Sequence, residues 1–269
     1  MATELVRGKT TRILVLNPNS SKAMTEGLKN VIDSMDLPYS TEIDTYTAPS
    51  DAPASINNDR DLVSSSNTVL LHLQSLYRHI PPYDFPYDGV VIACYSVHPL
   101  TAYMQRSSAY CKSITGIFEA SVLAALSLLR NKDAWGIITT GKWWEKHLAD
   151  GVDHVLGAKA REDPDSRFKG VESTGLNASD FHDGVDPAVV KQKLKEATKR
   201  LLAKGDVKVI LMGCAGMAGL EEIIRSAASE ELGEEFAYSE LHVIDGVRAG
   251  IMQVEQMIKY ERLIPGKPS

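Results

Sequence analysis

Short apolar segments alternate with amphipathic segments along almost the whole chain, and this alternation constrains the fold more than any other feature. Residues 13–16 (ILVL) form a run typical of a buried strand. Met24, Leu28, Val31 and Met35 then recur at the spacing of one helix face. The pattern predicts strands at 13–16, 42–46, 89–94, 113–117, 134–140, 168–174, 207–213 and 241–245, and helices at 24–35, 62–77, from 99, 120–129, 144–155, 187–203, 220–228 and 247–260. We therefore expect an α/β fold in which mostly parallel sheets are flanked by helices.

The two halves of the chain repeat this order with matched positions. In the first half a predicted strand ends at Asn17, and Cys94 follows 77 residues later. In the second half a strand ends at Thr140, and Cys214 follows 74 residues later. Each cysteine ends the third strand of its half. The repeat predicts two pseudo-symmetric lobes that face each other, with a division near Asp133.

Charge and composition exclude several classes of partner. The chain has 29 Lys and Arg against 35 Asp and Glu, a net charge of −6, which gives no electrostatic reason to bind nucleic acid or an anionic membrane. The N-terminus carries no apolar signal core. The apolar stretch 120–129 is too short to span a bilayer, which requires about 20 residues. We expect a soluble, cytoplasmic protein whose partner is a small molecule.

The three cysteines do not form a disulfide framework, because the number is odd and the set is sparse. No CxxC pair or His/Cys cluster has the spacing of a zinc site, so we expect no metal. A free cysteine is most often a small buried hydrophobic residue. Cys111, which precedes a predicted strand, is assigned to packing. His98 is interpreted as a solvated or helix-capping residue, and Trp143 and Trp144 as helix-packing residues.

Four polar residues fall at the carboxyl ends of predicted strands, where ligands bind in open α/β sheets: Asn17, Cys94, Thr140 and Cys214. Facing lobes would bring the two thiols to one cleft. Each thiol would also lie near a helix N-terminus, which favours the thiolate. Two thiols on opposite sides of one carbon can invert a stereocentre, because one removes a proton from one face and the other returns a proton to the opposite face. Such a reaction needs no cofactor when the C–H bond is already acidified.

Several motifs resemble those of the aspartate/glutamate/hydantoin racemase superfamily, and most closely its hydantoin and allantoin racemase branch. They are the Asn-Pro-Asn start at 13–21 and the two cysteine motifs at 92–94 and 212–217. Further matches occur at 53–56, 116–120 and 137–140, so the resemblance covers nearly the whole chain. Residues 168–178 are similar to the fungal members.

The resemblance implies a cofactor-independent racemase or epimerase with its active site in the cleft between the lobes. The lobes of this superfamily exchange their final elements, which implies a first lobe of residues 1–112 plus 239–269 and a second lobe of residues 113–238. Cys94 and Cys214 would be the acid/base pair. The implied substrate-binding residues are Asn17, Ser55, Ile56, Ser96, Thr139, Thr140, Ala215 and Gly216.

The residues that follow the two cysteines bear on the substrate. Amino-acid racemases of the superfamily usually have Asn-Thr and Thr at these places, which suit a free carboxylate and ammonium. Here Tyr95-Ser96 and Ala215-Gly216 stand instead, and they suit an uncharged planar ring. The first motif also reads Cys-Tyr-Ser-Val-His-Pro, where bacterial hydantoin racemases typically have Cys-Phe-Gly-Asp-Pro.

The leading hypothesis is racemisation of a 5-substituted hydantoin or of allantoin by two cysteines. An Asp/Glu-type amino-acid racemase, and a decarboxylase or cis-trans isomerase on the same scaffold, are alternatives. A catalytically silent binding protein for a nitrogen-rich ring is a fourth interpretation, although it leaves both thiols unused. We also expect a homo-oligomer.

Overall fold

The computed structural model describes residues 10–38, 40–79, 84–159, 163, 166–181 and 184–265. Eight strands and eight α-helices alternate through this part of the chain, as the apolar pattern predicts. The strands are β1 (Thr11–Asn17), β2 (Thr41–Thr47), β3 (Gly89–Ile92), β4 (Ser113–Gly116), β5 (Ala134–Thr139), β6 (Phe168–Ser173), β7 (Val207–Gly213) and β8 (His242–Asp245). The helices are α1 (Lys22–Asp33), α2 (Asp59–Tyr77), α3 (Pro99–Arg106), α4 (Ile117–Leu128), α5 (Trp143–Leu156), α6 (Pro187–Leu202), α7 (Glu221–Leu232) and α8 (Gly246–Arg262).

The strands form two four-stranded parallel sheets with the same topology. The first sheet has the order β2-β1-β3-β4 and the second the order β6-β5-β7-β8. The two central strands of each sheet are almost wholly buried, as expected when helices cover both faces of a parallel sheet. The fold therefore consists of two pseudo-symmetric lobes, which confirms the predicted fold class.

Five of the eight helices, α1, α2, α3, α6 and α8, begin where a side chain accepts one of their first free N–H groups. Ser21 Oγ accepts the Met24 N–H at 3.2 Å at the start of α1. Asp186 accepts the Ala188 N–H at the start of α6, and Pro187 fills the first helical position, where an N–H is not needed. Three short helical turns were not predicted: Ala178–Phe181, Ala215–Met217 and the π-helical turn Phe236–Glu240.

Two helices pack across the lobes. Helix α8, which follows the last strand of the second sheet, packs on β1, β3 and β4 of the first sheet, and α4 packs on β7 and β8 of the second. The approach is close, because a Cβ on Gly250 of α8 would lie only 2.7 Å from Val91 Cγ1 of β3. The lobe limits expected at 113 and 239 differ from the strand pairing at two points, since β4 pairs with β3 and β8 pairs with β7. The domain limits at residues 113 and 239 stay a prediction. The elements that pack on the opposite lobe are the helices α4 and α8.

One hydrophobic cluster joins the two sheets through these crossing helices. It includes Val15 of β1, Leu211 of β7, Phe118 of α4 and Ile251 of α8, each fully buried. The shared core fixes the carboxyl ends of β3 and β7 relative to each other. Every helix within the described ranges is too short or too polar to cross a membrane.

Candidate active site

A recess lies where the carboxyl ends of the central strands of both sheets meet. It encloses about 350 Å³ including its open mouth, but the centres of water molecules fit into only about 30 Å³ of it. Its lining comes from both lobes: Asn19, Met24, Ile56, Ala93, Cys94, Tyr95, Thr140, Trp144, Ala178, Gly213, Cys214 and Ala215. Both cysteines that the sequence singles out therefore lie in one recess.

The two thiols are held by different partners. Cys94 is 9% exposed and follows β3, and its Sγ lies 3.4 Å from Ser96 Oγ. Cys214 follows β7 and caps a single helical turn at Ala215–Met217, where its Sγ accepts the Gly216 N–H at 3.3 Å. Both sulfurs are free thiols, and each is placed by a strand end of its own sheet.

Burial disfavours the thiolate at both positions. It raises the pKa of Cys94 to about 12, against a lowering by the Ser96 hydroxyl, and the nearby Cys214 and Glu119 raise it further. It also raises the pKa of Cys214 to about 11, against two backbone N–H groups that lower it. At Cys214 the backbone N–H groups of the following turn do favour the thiolate, as expected, but burial outweighs them.

The substrate residues implied by the resemblance fall into three groups. Ile56, Thr140 and Ala215 line the recess. Ser96 and Gly216 contact the sulfurs of Cys94 and Cys214 rather than the open space. The polar side chains of the remaining three are engaged elsewhere: Asn17, Ser55 and Thr139.

Asn17 organises the loop after β1 with its side chain. Its Nδ2 donates to Asn19 Oδ1 at 3.1 Å and to Thr25 Oγ1 at 3.0 Å, and its Oδ1 accepts the Asn19 N–H at 3.2 Å. Ser55 Oγ donates to Asn57 Oδ1, and Thr139 Oγ1 donates to the Gly213 carbonyl at 3.0 Å. These bonds place the three residues as supports of the recess, and their contact with substrate stays a prediction.

The sequence interpretation missed several lining residues. Asn19 stands two residues after Asn17 in the same Asn-Pro-Asn motif, so the motif itself could have indicated it. Trp144 was assigned to helix packing alone, yet it lines the recess. Ala178 enters from a helical turn at Ala178–Phe181, for which the sequence gives no signal.

Cys111 and His98 lie outside the recess lining. Cys111 packs beside the aromatic cluster of the first sheet, with its Sγ 3.9 Å from the Ser113 carbonyl, as its assignment to packing predicts. His98 caps α3 by accepting the Leu100 N–H on Nδ1 at 3.2 Å, so the capping interpretation is confirmed. The alternative of a solvated histidine is wrong, because His98 is 1% exposed.

Within the described ranges, no group of three or more His, Cys, Asp or Glu side chains is placed to hold a metal ion. The chemistry available at the recess is that of two thiols, a few hydroxyl and amide groups, and backbone N–H donors.

Comparison with known proteins decides the family. A family model described as Asp/Glu/hydantoin racemase matches residues 13–254, which is most of the chain. The chain belongs to the Asp/Glu/hydantoin racemase family. The match spans both sheets and both cysteine motifs, so the resemblance indicated by the motifs is confirmed.

This racemase has relatives in fungi and bacteria. It is 32% identical over 248 residues to the uncharacterized protein C1F7.10 of Schizosaccharomyces pombe, with 92% of each chain covered. It is 27% identical over 247 residues to a hydantoin racemase of Paenarthrobacter aurescens, with 92% of this chain and 91% of that chain covered. The solved allantoin racemase of Klebsiella pneumoniae is 25% identical, with a TM-score of 0.71 and coverage of 93% of this chain and 89% of that one. The protein is an isomerase of the racemase type.

Proposed function

We propose that the racemase interconverts the enantiomers of a 5-substituted hydantoin or of allantoin by proton transfer between Cys94 and Cys214. The observation that carries this proposal is that two free thiols from equivalent strands of the two sheets line one recess. A packing role explains one buried thiol, but not the matched pair at a shared cavity.

The reaction balances without a cofactor. The thiolate of one cysteine takes the C5 proton, and the electron pair of the C–H bond delocalises into the neighbouring carbonyl as an enolate. Backbone N–H groups at the turns after β3 and β7 stabilise the developing oxyanion. The thiol of the other cysteine then gives its proton to the opposite face of C5, which restores the C–H bond with inverted configuration. The roles of the two sulfurs exchange for the reverse direction.

The recess favours an uncharged ring. As far as its lining is described, it contains no Asp, Glu, Lys, Arg or His side chain. A free amino acid would bring a carboxylate and an ammonium into this recess unpaired, and burying an unpaired charge is costly. This composition favours a hydantoin over aspartate or glutamate. Met24, Ile56 and Trp144 add apolar surface, which suits an alkyl or aryl substituent at C5 better than the polar ureido group of allantoin.

Enantiopure substrates in D₂O separate the candidate functions. We would incubate the purified protein with 5-benzylhydantoin, 5-isobutylhydantoin, allantoin and L-glutamate, and follow optical rotation and deuterium at the stereocentre by NMR. The proposal predicts loss of rotation together with deuterium incorporation for the ring substrates, fastest for the two hydantoins. Released CO₂ would indicate a decarboxylase instead. Saturable binding without exchange would indicate a silent binding protein.

Activity is expected to persist after treatment with EDTA, because the two-thiol scheme assigns no step to a metal. Restoration of an EDTA-abolished activity by zinc would contradict this. The predicted homo-oligomer and the predicted cytoplasmic location rest on the sequence interpretation alone, and gel filtration and fractionation test them.

A further inference from the structure

Asn19 is the one carboxamide among the described residues of the recess lining. It belongs to the loop after β1, and it is 4% exposed. The proposed proton transfer assigns work to the two thiols and to backbone N–H groups, and it leaves this side chain unused. Because a buried carboxamide is stable only when its hydrogen bonds are made, its partners show what it can still bind.

The oxygen of this carboxamide is engaged within its own loop. Asn19 Oδ1 accepts the backbone N–H of Ser21 at 2.9 Å and Nδ2 of Asn17 at 3.1 Å. A backbone N–H can only donate, so the atom that faces Ser21 must be the oxygen. The surroundings of Asn19 therefore fix the orientation of its amide, and the NH₂ group is the end that remains for other partners.

The NH₂ group has a much weaker partner. Its acceptor among the described residues is the thioether sulfur of Met24, at 3.0 Å from Nδ2. An amide NH₂ has two N–H bonds to donate, and a thioether sulfur is a weak acceptor. Met24 also lines the recess, so the poorly satisfied end of the amide lies at the recess. A ligand oxygen that accepted this donor would recover free energy that burial has cost.

The backbone holds Asn19 in place. Its N–H donates to Asn17 Oδ1 at 3.2 Å, and its carbonyl accepts the N–H of Ala48, the residue after β2, at 3.2 Å. The next residue, Ser20, donates its N–H to the Pro53 carbonyl at 3.0 Å. The amide is thus fixed before any ligand arrives, which lowers the entropy cost of binding.

We propose that Asn19 orients the substrate, and that its NH₂ group donates a hydrogen bond to a carbonyl oxygen of the hydantoin-like ring. The inference rests on the proposed ring substrate. The ring nitrogens of a hydantoin carry N–H groups, so its two carbonyl oxygens are the ring atoms that accept from this donor. A ring held by one carbonyl in an otherwise apolar recess has a defined direction, which is needed to place C5 between the two thiols.

A purely structural role for Asn19 is the alternative to be tested against. The bonds of its oxygen and backbone organise the loop after β1, and damage to that loop would weaken the binding of any ring. Loop damage weakens binding of related rings to the same extent. Loss of the donor, in contrast, weakens binding only when the ring offers an oxygen to accept the bond. Exchange of a carbonyl oxygen for sulfur makes a poor acceptor of nearly the same ring.

The probes are hydantoin, 2-thiohydantoin and 4-thiohydantoin, which differ at one carbonyl each. None has a stereocentre, so their binding is measured without racemisation. Isothermal titration calorimetry at pH 6.5 gives the Kd of each ring for the wild type, Asn19→Asp and Asn19→Ala. Asn19→Asp retains an oxygen for Ser21 and Asn17 but has no NH₂ group. Asn30→Asp makes the same exchange at an exposed position of α1 and is the matched control. Circular dichroism checks the fold of each protein.

The wild type should bind at least one of the two thiohydantoins about fivefold more weakly than hydantoin, as expected for one neutral hydrogen bond. Asn19→Asp and Asn19→Ala should bind hydantoin at least about fivefold more weakly than the wild type does, and should lose this preference to within about twofold. The thiohydantoin for which the preference disappears identifies the carbonyl that Asn19 binds. Asn30→Asp should retain both the affinity and the preference.

Equal binding of the three rings by the wild type would overturn the inference. A preference for hydantoin that persists in both Asn19 variants would overturn it as well, because that is the result of loop damage alone. If neither variant folds, Met24→Leu continues the test. It removes the sulfur that competes for the NH₂ group, so the preference for hydantoin should increase about twofold. An unchanged preference in Met24→Leu would then overturn the inference.

Failure of the proposed function has a different signature. The calorimetry depends on binding alone, whereas racemisation requires deuterium exchange at C5 of an enantiopure hydantoin. Binding with a preference that depends on Asn19, but without such exchange in the wild type, would contradict the two-thiol reaction and leave the role of Asn19 in place.

Discussion

Cys94 and Cys214 follow the third strands of two sheets with identical strand order, and their side chains line the same recess. The two sulfurs are close enough for the charge of one to raise the pKa of the other. The repeated βα pattern of the two lobes, rather than any local motif, therefore places the two cysteines at one recess. The shared core through α4 and α8 then fixes the two strand ends relative to each other.

If each thiol serves one face of the stereocentre, Cys94→Ser and Cys214→Ser should each reduce racemisation by at least about a hundredfold, because a serine hydroxyl is too weak an acid and base near neutral pH. Each variant should still exchange deuterium into one enantiomer, and the two variants should act on opposite enantiomers. NMR of single enantiomers in D₂O measures both effects.

Cys111→Ser is the control for this pair, because Cys111 lies outside the recess lining. It should racemise like the wild type, apart from a loss of about 1 kcal/mol in unfolding free energy. Interconversion of enantiomers at near wild-type rate by either active-site variant would instead indicate a single base that reaches both faces.

Gly213→Ala should be destabilising and should impair turnover. A Cβ there would lie 2.6 Å from the Ile138 carbonyl oxygen and 2.7 Å from Ile137 Cγ2, and the backbone oxygen cannot move without distorting β5. We expect a loss of about 1–3 kcal/mol in unfolding free energy, measured by urea titration, with displacement of the adjacent Cys214.

Gly141→Ala is the matched control at the end of the neighbouring strand. Its Cβ would meet only the Leu176 carbonyl oxygen, at 3.8 Å, so stability should change by no more than about 0.5 kcal/mol. Equal effects of the two substitutions would contradict the close approach of β7 to β5.

The sequence was sufficient to predict the strand and helix order, the two lobes and the two thiols, because these depend on periodicity and on the ends of parallel strands. Sheet membership was harder to predict. β4 pairs with β3, and β8 pairs with β7, through hydrogen bonds between distant segments. The packing of α4 and α8 on the opposite lobes depends on side-chain contacts, as the contact of Gly250 with Val91 illustrates.

Protonation states and pocket lining depend on burial, which a sequence does not display. The expected thiolate-favouring environment was reversed because desolvation outweighs the N–H donors at Cys214. Trp144 and Ala178 reach the recess through long-range packing of α5 and of the Ala178–Phe181 turn. The Glu119 oxygen that has no hydrogen-bond partner among the described residues likewise becomes visible only in three dimensions.

His98 should make the protein sensitive to acid. Its Nδ1 accepts the Leu100 N–H, so the ring proton is on Nε2 and is donated to Ser65 Oγ at 3.0 Å. Burial lowers its pKa to about 3. The unfolded chain takes up a second ring proton near pH 6.5, and the native state does not. The free energy of unfolding is therefore highest above pH 6.5 and falls as the pH drops toward 3.

The measurement is unfolding free energy in urea at pH 7.5 and pH 5. Replacement by Asn retains a helix-capping side chain but does not titrate. His98→Asn should therefore lose about 2 kcal/mol less than the wild type between these two pH values. His154→Asn changes an exposed histidine and should follow the wild-type curve. Parallel curves for His98→Asn and the wild type would show that His98 does not remain neutral.

Glu119 should have the opposite dependence on pH. Its carboxyl has a pKa raised to about 7 by burial, so the native state holds a proton that the unfolded chain releases near pH 4.5. The wild type therefore loses stability as the pH rises from 4.5 to 7. Glu119→Gln avoids this loss and should exceed the wild type by at most about 3 kcal/mol above pH 7, with no such advantage below pH 4.5.

Urea unfolding from pH 4.5 to pH 8 measures the Glu119 effect as the difference in unfolding free energy between the variant and the wild type. A difference that stays constant across this pH range would mean that the pKa of Glu119 is not raised in the native protein. A difference that grows with pH would mean that ionisation of the buried Glu119 carboxyl destabilises the native protein.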